Sequence, residues 1–284
     1  MTLITAFMGR DQRKMSSLYI LSDSRFTWSP DAKKNLCFKK NLPSKFDFGK
    51  KVFCFKNSPD IIGYCGDVLF PTIVLNQLVE LCDNDLLFNE PSNNEEKFKS
   101  IFNYLKTSLA KYPQELATSM DIIYGTRSNK IDFSLYLISW RNNEWYSEKK
   151  QLLNSSGTLI IKGSGKKDFI EKYNLYQETS IKDTSRVVFQ SFCHALSETN
   201  NLYCGGAPQL VGLYNKGNGM NIGIISNNKR YFCGLEINEV KIGDNIKLNK
   251  IKWHNENFEV CNGYTMEKEI GSQKQPNPVK NISK

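Results

Sequence analysis

The order in which two kinds of hydrophobic periodicity occur along the chain places the strongest limit on its fold. Short apolar or alternating runs, which are typical of strands, come in pairs around polar turns, whereas runs with helical spacing come in blocks. The order is strands, two helices, strands, a helix and strands, without βαβ alternation around a glycine-rich phosphate loop. This order predicts an α+β fold in which two antiparallel sheets pack together and helices flank them.

The individual segments follow from the same patterns. The first two strand pairs are LITAFMG with LYILSD, around a charged turn, and KVFCF with IIGYCG, around NSPD. The later predicted strands are MDIIYGT, DFSLYLISW, TLIIKGSG, PQLVGLYN, NIGIIS and KRYFCGLEI. The predicted helices are FPTIVLNQLVELC, EEKFKSIFNYLKTSLAKY, a short one at KDFIEKY and a long one at KDTSRVVFQSFCHALSET.

A single domain is predicted over residues 1–264. Within it, residues 26–50 are polar, rich in lysine and contain two prolines, which predicts a loop insertion. Residues 265–284 are polar, contain two prolines and lack periodicity, so we expect a flexible tail. The hydrophobic fraction of 40% in 284 residues is enough for a sizeable core.

The net charge of +9 admits a nucleic-acid partner, but the lysines are spread along the chain beside Asn, Ser or Glu. That distribution favours a solvated basic surface, with nucleic-acid binding as the weaker alternative. The N-terminus begins apolar and turns charged, the reverse of a secretory signal, and no apolar run is long enough to span a membrane. These features predict a cytoplasmic protein without a membrane partner.

The eight cysteines and two histidines limit which disulfides and metal sites the chain can form. The cysteines show no CxxC spacing and several lie in apolar runs, so buried free thiols are expected rather than disulfides. His194 and His254 are far apart in sequence, which argues against a histidine metal site. The sequence predicts neither a metal nor a cofactor.

Several short motifs occur in a fixed order among these strands. They are Thr2 after the initiator Met1, then LSDSR, GKKVF, IIGYCGD, IIKGSG and NLYCGG. In this order, with matching strand and helix blocks between them, they resemble the proteasome β-subunit family and its bacterial relatives over roughly residues 2–235.

The resemblance implies the four-layer αββα sandwich of N-terminal-nucleophile hydrolases. It also implies a threonine-type peptidase that cleaves amide bonds of a peptide or protein through an acyl-enzyme on Thr2, after removal of Met1. Relatives of this family assemble into rings, so a homo-oligomer is implied as well. No cofactor is expected.

The chemistry of a terminal threonine explains why such motifs occur together. A hydroxyl is a poor nucleophile until a base removes its proton, and a terminal α-amine, with an ordinary pKa of ~7.7–8.0, can be that base. A nearby lysine cation lowers the pKa of the amine, and an aspartate offsets the cost of burying the lysine.

The resemblance assigns these roles to particular residues. Thr2 is the nucleophile and, through its amine, the base. Asp23 orients the lysine, for which Lys51 is preferred. The backbone N–H of Gly66 is the oxyanion donor, and Ser164 lies near the terminal amine.

Three positions leave alternatives open. Lys50 is adjacent to Lys51, and one residue of register decides which of the two points inward. Asn201 and Cys204 stand where the family has an aspartate and a serine, and an amide cannot carry the charge of the aspartate. An inactive proteasome-like scaffold or partner-binding subunit is therefore the alternative function.

Overall fold

The computed structural model describes residues 2–11, 14–28, 45–88, 93–237, 245–248 and 250–272. Within this part of the chain, strands and helices form a mixed α+β fold built largely from antiparallel sheets. No helix among the described residues is both long and apolar enough to cross a membrane.

The larger sheet has nine strands. Seven of them lie in the order β10-β1-β2-β11-β12-β13-β14, while β15 pairs with β12 and β16. Their bounds are β1 Leu3–Arg10, β2 Met15–Ser22, β10 Gly157–Gly163, β11 Gln209–Tyr214, β12 Met220–Ser226, β13 Lys229–Phe232, β14 Leu235–Ile237, β15 Trp253–Asn255 and β16 Val260–Cys261. The β12–β15 pair is parallel, which differs from the purely antiparallel sheet that the sequence predicted.

The smaller sheet has five antiparallel strands in sequential order, and a separate ribbon has two. The five strands are β5 Val52–Cys54, β6 Asp60–Gly66, β7 Met120–Arg127, β8 Phe133–Arg141 and β9 Glu144–Lys150. The ribbon pairs β3 (Phe26–Thr27) with β4 (Lys45–Phe46) within the predicted insertion. Residues 29–44 of that insertion lie outside the described residues.

Four helices exceed ten residues among those described. Their bounds are α1 Leu69–Asp83, α2 Asn94–Ala110, α3 Lys166–Gln177 and α4 Ser185–Glu198, beside the short α5 Asn245–Leu248 and a 3₁₀ turn at Gln114–Leu116. Asn93 caps α2 in a capping box with Glu96, which satisfies backbone donors in the first turn. The helix α3 is longer than the short helix predicted from KDFIEKY.

Three of the apolar clusters among the described residues join the sheets to each other and to the longer helices. The first, which includes Leu75 and Ile101, joins α1 and α2 to the five-stranded sheet. The second joins the inner faces of the two sheets through residues such as Ile20 and Ile61. The third, which includes Phe192, joins α3 and α4 to the nine-stranded sheet. The apolar strands of both sheets therefore pack on two faces, as their sequences require.

Several segments differ from their prediction. KRYFCGLEI forms two strands, because Cys233 and Gly234 adopt positive φ angles of 53° and 84° and turn the chain. Residues 265–272 contact β16, with Glu269 N–H donating to Val260 O at 3.0 Å. The predicted tail continues into residues outside the described part, so its flexibility and the 1–264 domain bounds stay predictions.

The cysteines are free wherever the structure describes them. Cys54, Cys65, Cys82, Cys204 and Cys261 are buried, whereas Cys193 and Cys233 are half-buried. Cys37 lies outside the described residues.

Candidate active site

The chain start and two buried charges meet at one end of the sheets. Lys51 Nζ donates a short hydrogen bond to Thr2 Oγ1 and another to Asp23 Oδ1, the latter at 2.7 Å. Thr2 is 2% exposed, and the side chains of Lys51 and Asp23 are 0% exposed. This hydroxyl–ammonium–carboxylate chain is shielded from water, so its electrostatic interactions are weakly screened.

Strand pairing explains why Thr2 and Asp23 are neighbours. In the β1–β2 hairpin Ile4 lies opposite Ser22, so the residues just beyond each strand end also meet. Asp23 N–H donates to Leu3 O and Leu3 N–H donates to Asp23 Oδ1, both at 3.1 Å. The second carboxylate oxygen accepts from Gly205 N–H at 3.0 Å. The carboxylate is thus compensated by backbone donors as well as by Lys51.

The two adjacent lysines point in different directions. Lys51, which directly precedes β5, turns into the interior toward Thr2. Lys50 is half-buried, and its Nζ lies 4.4 Å from the centre of the Phe53 ring. Of the two candidates, Lys51 is the one that contacts Thr2.

The Gly163–Gly165 turn packs against the backbone of Thr2. Gly163 lies opposite Leu3 in the β1–β10 pair and has a φ of 96°. A Cβ placed there would lie 1.9 Å from Thr2 O. Gly165 N–H reaches the same carbonyl at 3.4 Å. The turn therefore needs glycine both for its conformation and for its close approach to Thr2.

Ser164, Asn201 and Cys204 form a second group next to this turn. Ser164 Oγ lies 3.5 Å from Cys204 Sγ, and Asn201 Nδ2 donates to Ser164 O at 2.9 Å. Burial raises the pKa of the Cys204 thiol, and the negative charge of Asp23 raises it further, while the Ser164 hydrogen bond and Lys51 oppose this. The group is linked to the first one through Gly205, whose N–H bonds Asp23.

Gly66 ends β6 with a φ of 96°. A Cβ at this position would lie 2.4 Å from Ser119 O, so the turn admits only glycine without a backbone shift. Its geometry matches a strand-end turn, while its predicted role as oxyanion donor stays a proposal.

Two further features were not predicted from the sequence. The Arg25 guanidinium holds Asp47 through two hydrogen bonds of 2.6 and 2.9 Å, and it donates to Cys204 O at 2.8 Å. The Arg25 hydrogen bonds lower the pKa of the Asp47 carboxyl. The second feature is Gln209, whose buried side chain bonds the backbone at Asp23 and Lys51. Arg25 was visible in LSDSR, but Asp47 and Gln209 carried no local signal.

The described part of the chain contains no group of three or more His, Cys, Asp or Glu residues placed to hold a metal ion. The chemistry available at the site is that of a hydroxyl, a lysine cation, a carboxylate and backbone N–H groups.

Comparison with solved structures identifies the fold class. The chain matches an Anbu Gly-1 mutant from Hyphomicrobium sp. strain MC1 with a TM-score of 0.50 and 12% identity, over 82% of this chain and 88% of that one. Anbu from Yersinia bercovieri, described as an ancestral β-subunit, matches with a TM-score of 0.48 and 10% identity, over 78% and 86% of the two chains. A helical assembly of the Anbu complex from Pseudomonas aeruginosa matches with a TM-score of 0.48 and 14% identity, over 77% of this chain and 86% of that one.

The likeness to the Hyphomicrobium protein shows that the chain has a proteasome-like fold, and at 12% identity it shows the fold alone. No protein-family model matches the sequence, and no curated protein matches it.

Proposed function

We propose that the protein is a threonine-type N-terminal-nucleophile hydrolase, a peptidase that cleaves amide bonds through an acyl-enzyme on Thr2. The observation that carries the proposal is the buried chain from Thr2 Oγ1 through Lys51 Nζ to Asp23. A lysine ammonium that donates to a threonine hydroxyl can stabilise that oxygen as it develops negative charge.

The proposed reaction begins once Thr2 is the terminal residue. Its free amine accepts the hydroxyl proton, and Oγ1 attacks the carbonyl carbon of the substrate amide to form a tetrahedral oxyanion. The C–N bond then breaks, and the departing amine takes the proton from the Thr2 ammonium. Water attacks the resulting ester, again with proton transfer to the amine, and releases the carboxylic acid and Thr2.

The other candidate residues support this sequence of steps in the proposal. Lys51 lowers the pKa of the Thr2 amine, and Asp23 holds Lys51 in place. Gly66 N–H binds the oxyanion. Ser164 hydrogen-bonds the amine, and Cys204, whose Sγ lies 3.5 Å from Ser164 Oγ, supports that serine.

Asn201 and Cys204 favour a second candidate function, an inactive proteasome-like scaffold or partner-binding subunit. Asn201 donates to Ser164 O as a neutral amide, so it supplies no negative charge near the amine. The intact Thr2–Lys51–Asp23 chain favours the enzyme over this alternative.

We also infer the larger organisation from the three apolar clusters. A helix–sheet cluster, a sheet–sheet cluster and a second sheet–helix cluster are what a four-layer αββα sandwich requires. The proposed domain spans residues 1–264. A homo-oligomer, such as a ring that limits access to extended peptides, fits the proteasome-like fold.

Activity toward a fluorogenic peptide amide tests the proposal when the wild type is compared with Thr2→Ala and Thr2→Ser. We expect hydrolysis by the wild type, at least a hundredfold loss in Thr2→Ala, and partial retention in Thr2→Ser, which keeps a hydroxyl. Mass spectrometry should find the native chain starting at Thr2 and a peptide electrophile attached there. Activity that survives Thr2→Ala would exclude the mechanism, and a native chain that retains Met1 would leave the amine masked.

A further inference from the structure

Gln209 lies at the start of β11 with only 1% of its surface exposed, and its amide makes four hydrogen bonds. Oε1 accepts from Lys51 N–H at 3.0 Å. Nε2 donates to Asp23 O and Gly49 O, both at 2.8 Å, and reaches Ser24 Oγ at 3.2 Å. The oxygen and the nitrogen of the amide therefore both bond to the chain segments that carry Asp23 and Lys51.

The partners fix which way the amide faces. Two of them are carbonyl oxygens, which only accept, and one is a backbone N–H, which only donates. The reversed amide would place its oxygen against both carbonyls and its NH₂ against the N–H of Lys51. Because the side chain is buried, that arrangement would leave several polar groups unsatisfied, so a single orientation is stable.

The contacts of Gln209 also bridge the two sheets. Asp23 follows β2 of the nine-stranded sheet, whereas Lys51 precedes β5, the edge strand of the five-stranded sheet. The hydrogen bond between their side chains thus depends on how the two sheets are held together. Gln209 pairs with Ser22 on the first sheet and binds the Lys51 backbone on the second.

We propose that Gln209 is a positioning residue, which sets the place of the Lys51 ammonium relative to Asp23 and Thr2 by fixing both backbones. The inference rests on the proposed function, because it concerns how Lys51 is held against the Thr2 hydroxyl, the proposed nucleophile. Its physical basis is that small displacements of catalytic groups lower turnover strongly, even when the substrate still binds.

Replacing Gln209 with Met tests this idea, because Met has a similar length but none of the hydrogen bonds. The matched control is Gln190→Met on α4, since Gln190 is also buried, at 4% exposure, and donates to Asn257 O at 2.9 Å. Both variants lose a buried amide, but only Gln209 touches the Asp23 and Lys51 segments.

In Gln209→Met we expect kcat to fall about 10- to 100-fold with KM within about twofold. The acid limb of the pH–rate profile should move to higher pH, because a more distant lysine cation lowers the pKa of the Thr2 amine less. Gln190→Met should keep the wild-type kcat and profile. An unchanged kcat and profile in folded Gln209→Met would overturn the proposal, as would equal losses in both variants.

The NMR signal of the Lys51 ammonium, in protein labelled with ¹⁵N-lysine, separates this proposal from the function on which it rests. If the wild type hydrolyses no peptide, the proposed function fails, and the NMR signal alone then tests whether Gln209 positions Lys51. A Lys51 signal displaced in Gln209→Met but not in Gln190→Met supports positioning. A signal that stays in place in both variants overturns it.

Discussion

Lys51 and Asp23 depend on each other, because neither side chain reaches water. We predict that Lys51→Met lowers kcat by at least about a hundredfold, since the Thr2 hydroxyl loses its charged partner. It should also lower the free energy of unfolding by about 3–5 kcal/mol, because an unpaired carboxylate stays buried. Peptide hydrolysis and chemical denaturation measure the two effects.

The double variant Lys51→Met/Asp23→Asn separates the two consequences. Removing the unpaired charge should restore part of the stability but none of the activity. Restoration is incomplete because an amide has one acceptor oxygen, whereas Asp23 accepts from Leu3 N–H on one oxygen and Gly205 N–H on the other. A Lys51→Met protein that is as stable as the wild type would contradict the buried pair.

The resemblance of three short motifs to those of the proteasome β-subunit family predicted that Thr2, Asp23 and Lys51 come together. The structure places the three in contact, although their catalytic roles stay predictions. Asp47 and Gln209 could not be predicted in this way. They reach the site through the ribbon and across the two sheets, so no local pattern marks them.

The β10–α3 turn is the element that fits most closely against the nucleophile. We predict that Gly163→Ala abolishes at least about 99% of the activity. The φ of 96° disfavours alanine, and the added Cβ would lie 1.9 Å from Thr2 O, which cannot move aside as a flexible side chain can. The effect is measured as kcat on the fluorogenic peptide.

Gly217→Ala supplies the matched control for that prediction. Gly217 also has a positive φ, of 78°, but nothing lies within 4 Å of an added Cβ. The Gly217→Ala substitution should therefore lower the free energy of unfolding by about 1 kcal/mol through backbone strain and leave kcat unchanged. Equal loss of activity in both variants would show that strain, and not displacement of Thr2, accounts for the effect.

Elements that pack on the core were predicted from the sequence, whereas some elements at the edges were missed. The strand β9, which reads EWYSEKK, is largely exposed at the edge of the five-stranded sheet and shows no buried face. Its polar sequence carries no strand alternation because pairing with β8, rather than burial, holds it there. β15 and β16 are too short for periodicity to appear.

At the scale of the whole molecule, the buried sheets were predictable, but the way in which the chain closes around them was not. Residues 250–272 return to the nine-stranded sheet, where β15 adds in parallel to β12. This closure buries His254, which is 4% exposed, with its ring stacked 4.6 Å from that of Phe258. A histidine in an apolar contact links the stability of the whole fold to pH.

Burial lowers the pKa of His254 from 6.5 to about 3, and the charge of Lys252 adds to the decrease. Because the folded pKa lies below the unfolded value, the unfolded chain takes up the proton first as the pH falls. The contribution of His254 to the free energy of unfolding is therefore fully present above about pH 6.5 and declines toward pH 3. At pH 5 the loss from this group is about 2 kcal/mol.

Denaturation midpoints at pH 7.5 and pH 5 test this dependence. We expect His254→Phe, which keeps the stacked ring without the titrating nitrogens, to lose about 2 kcal/mol less than the wild type between these pH values. His194→Phe is the control, since His194 is the other histidine and lies half-buried beside Glu198 on α4. An acid-induced loss of stability that persists in His254→Phe and disappears in His194→Phe would contradict the prediction. The pH dependence would then come from His194 and not from the burial of His254 at β15.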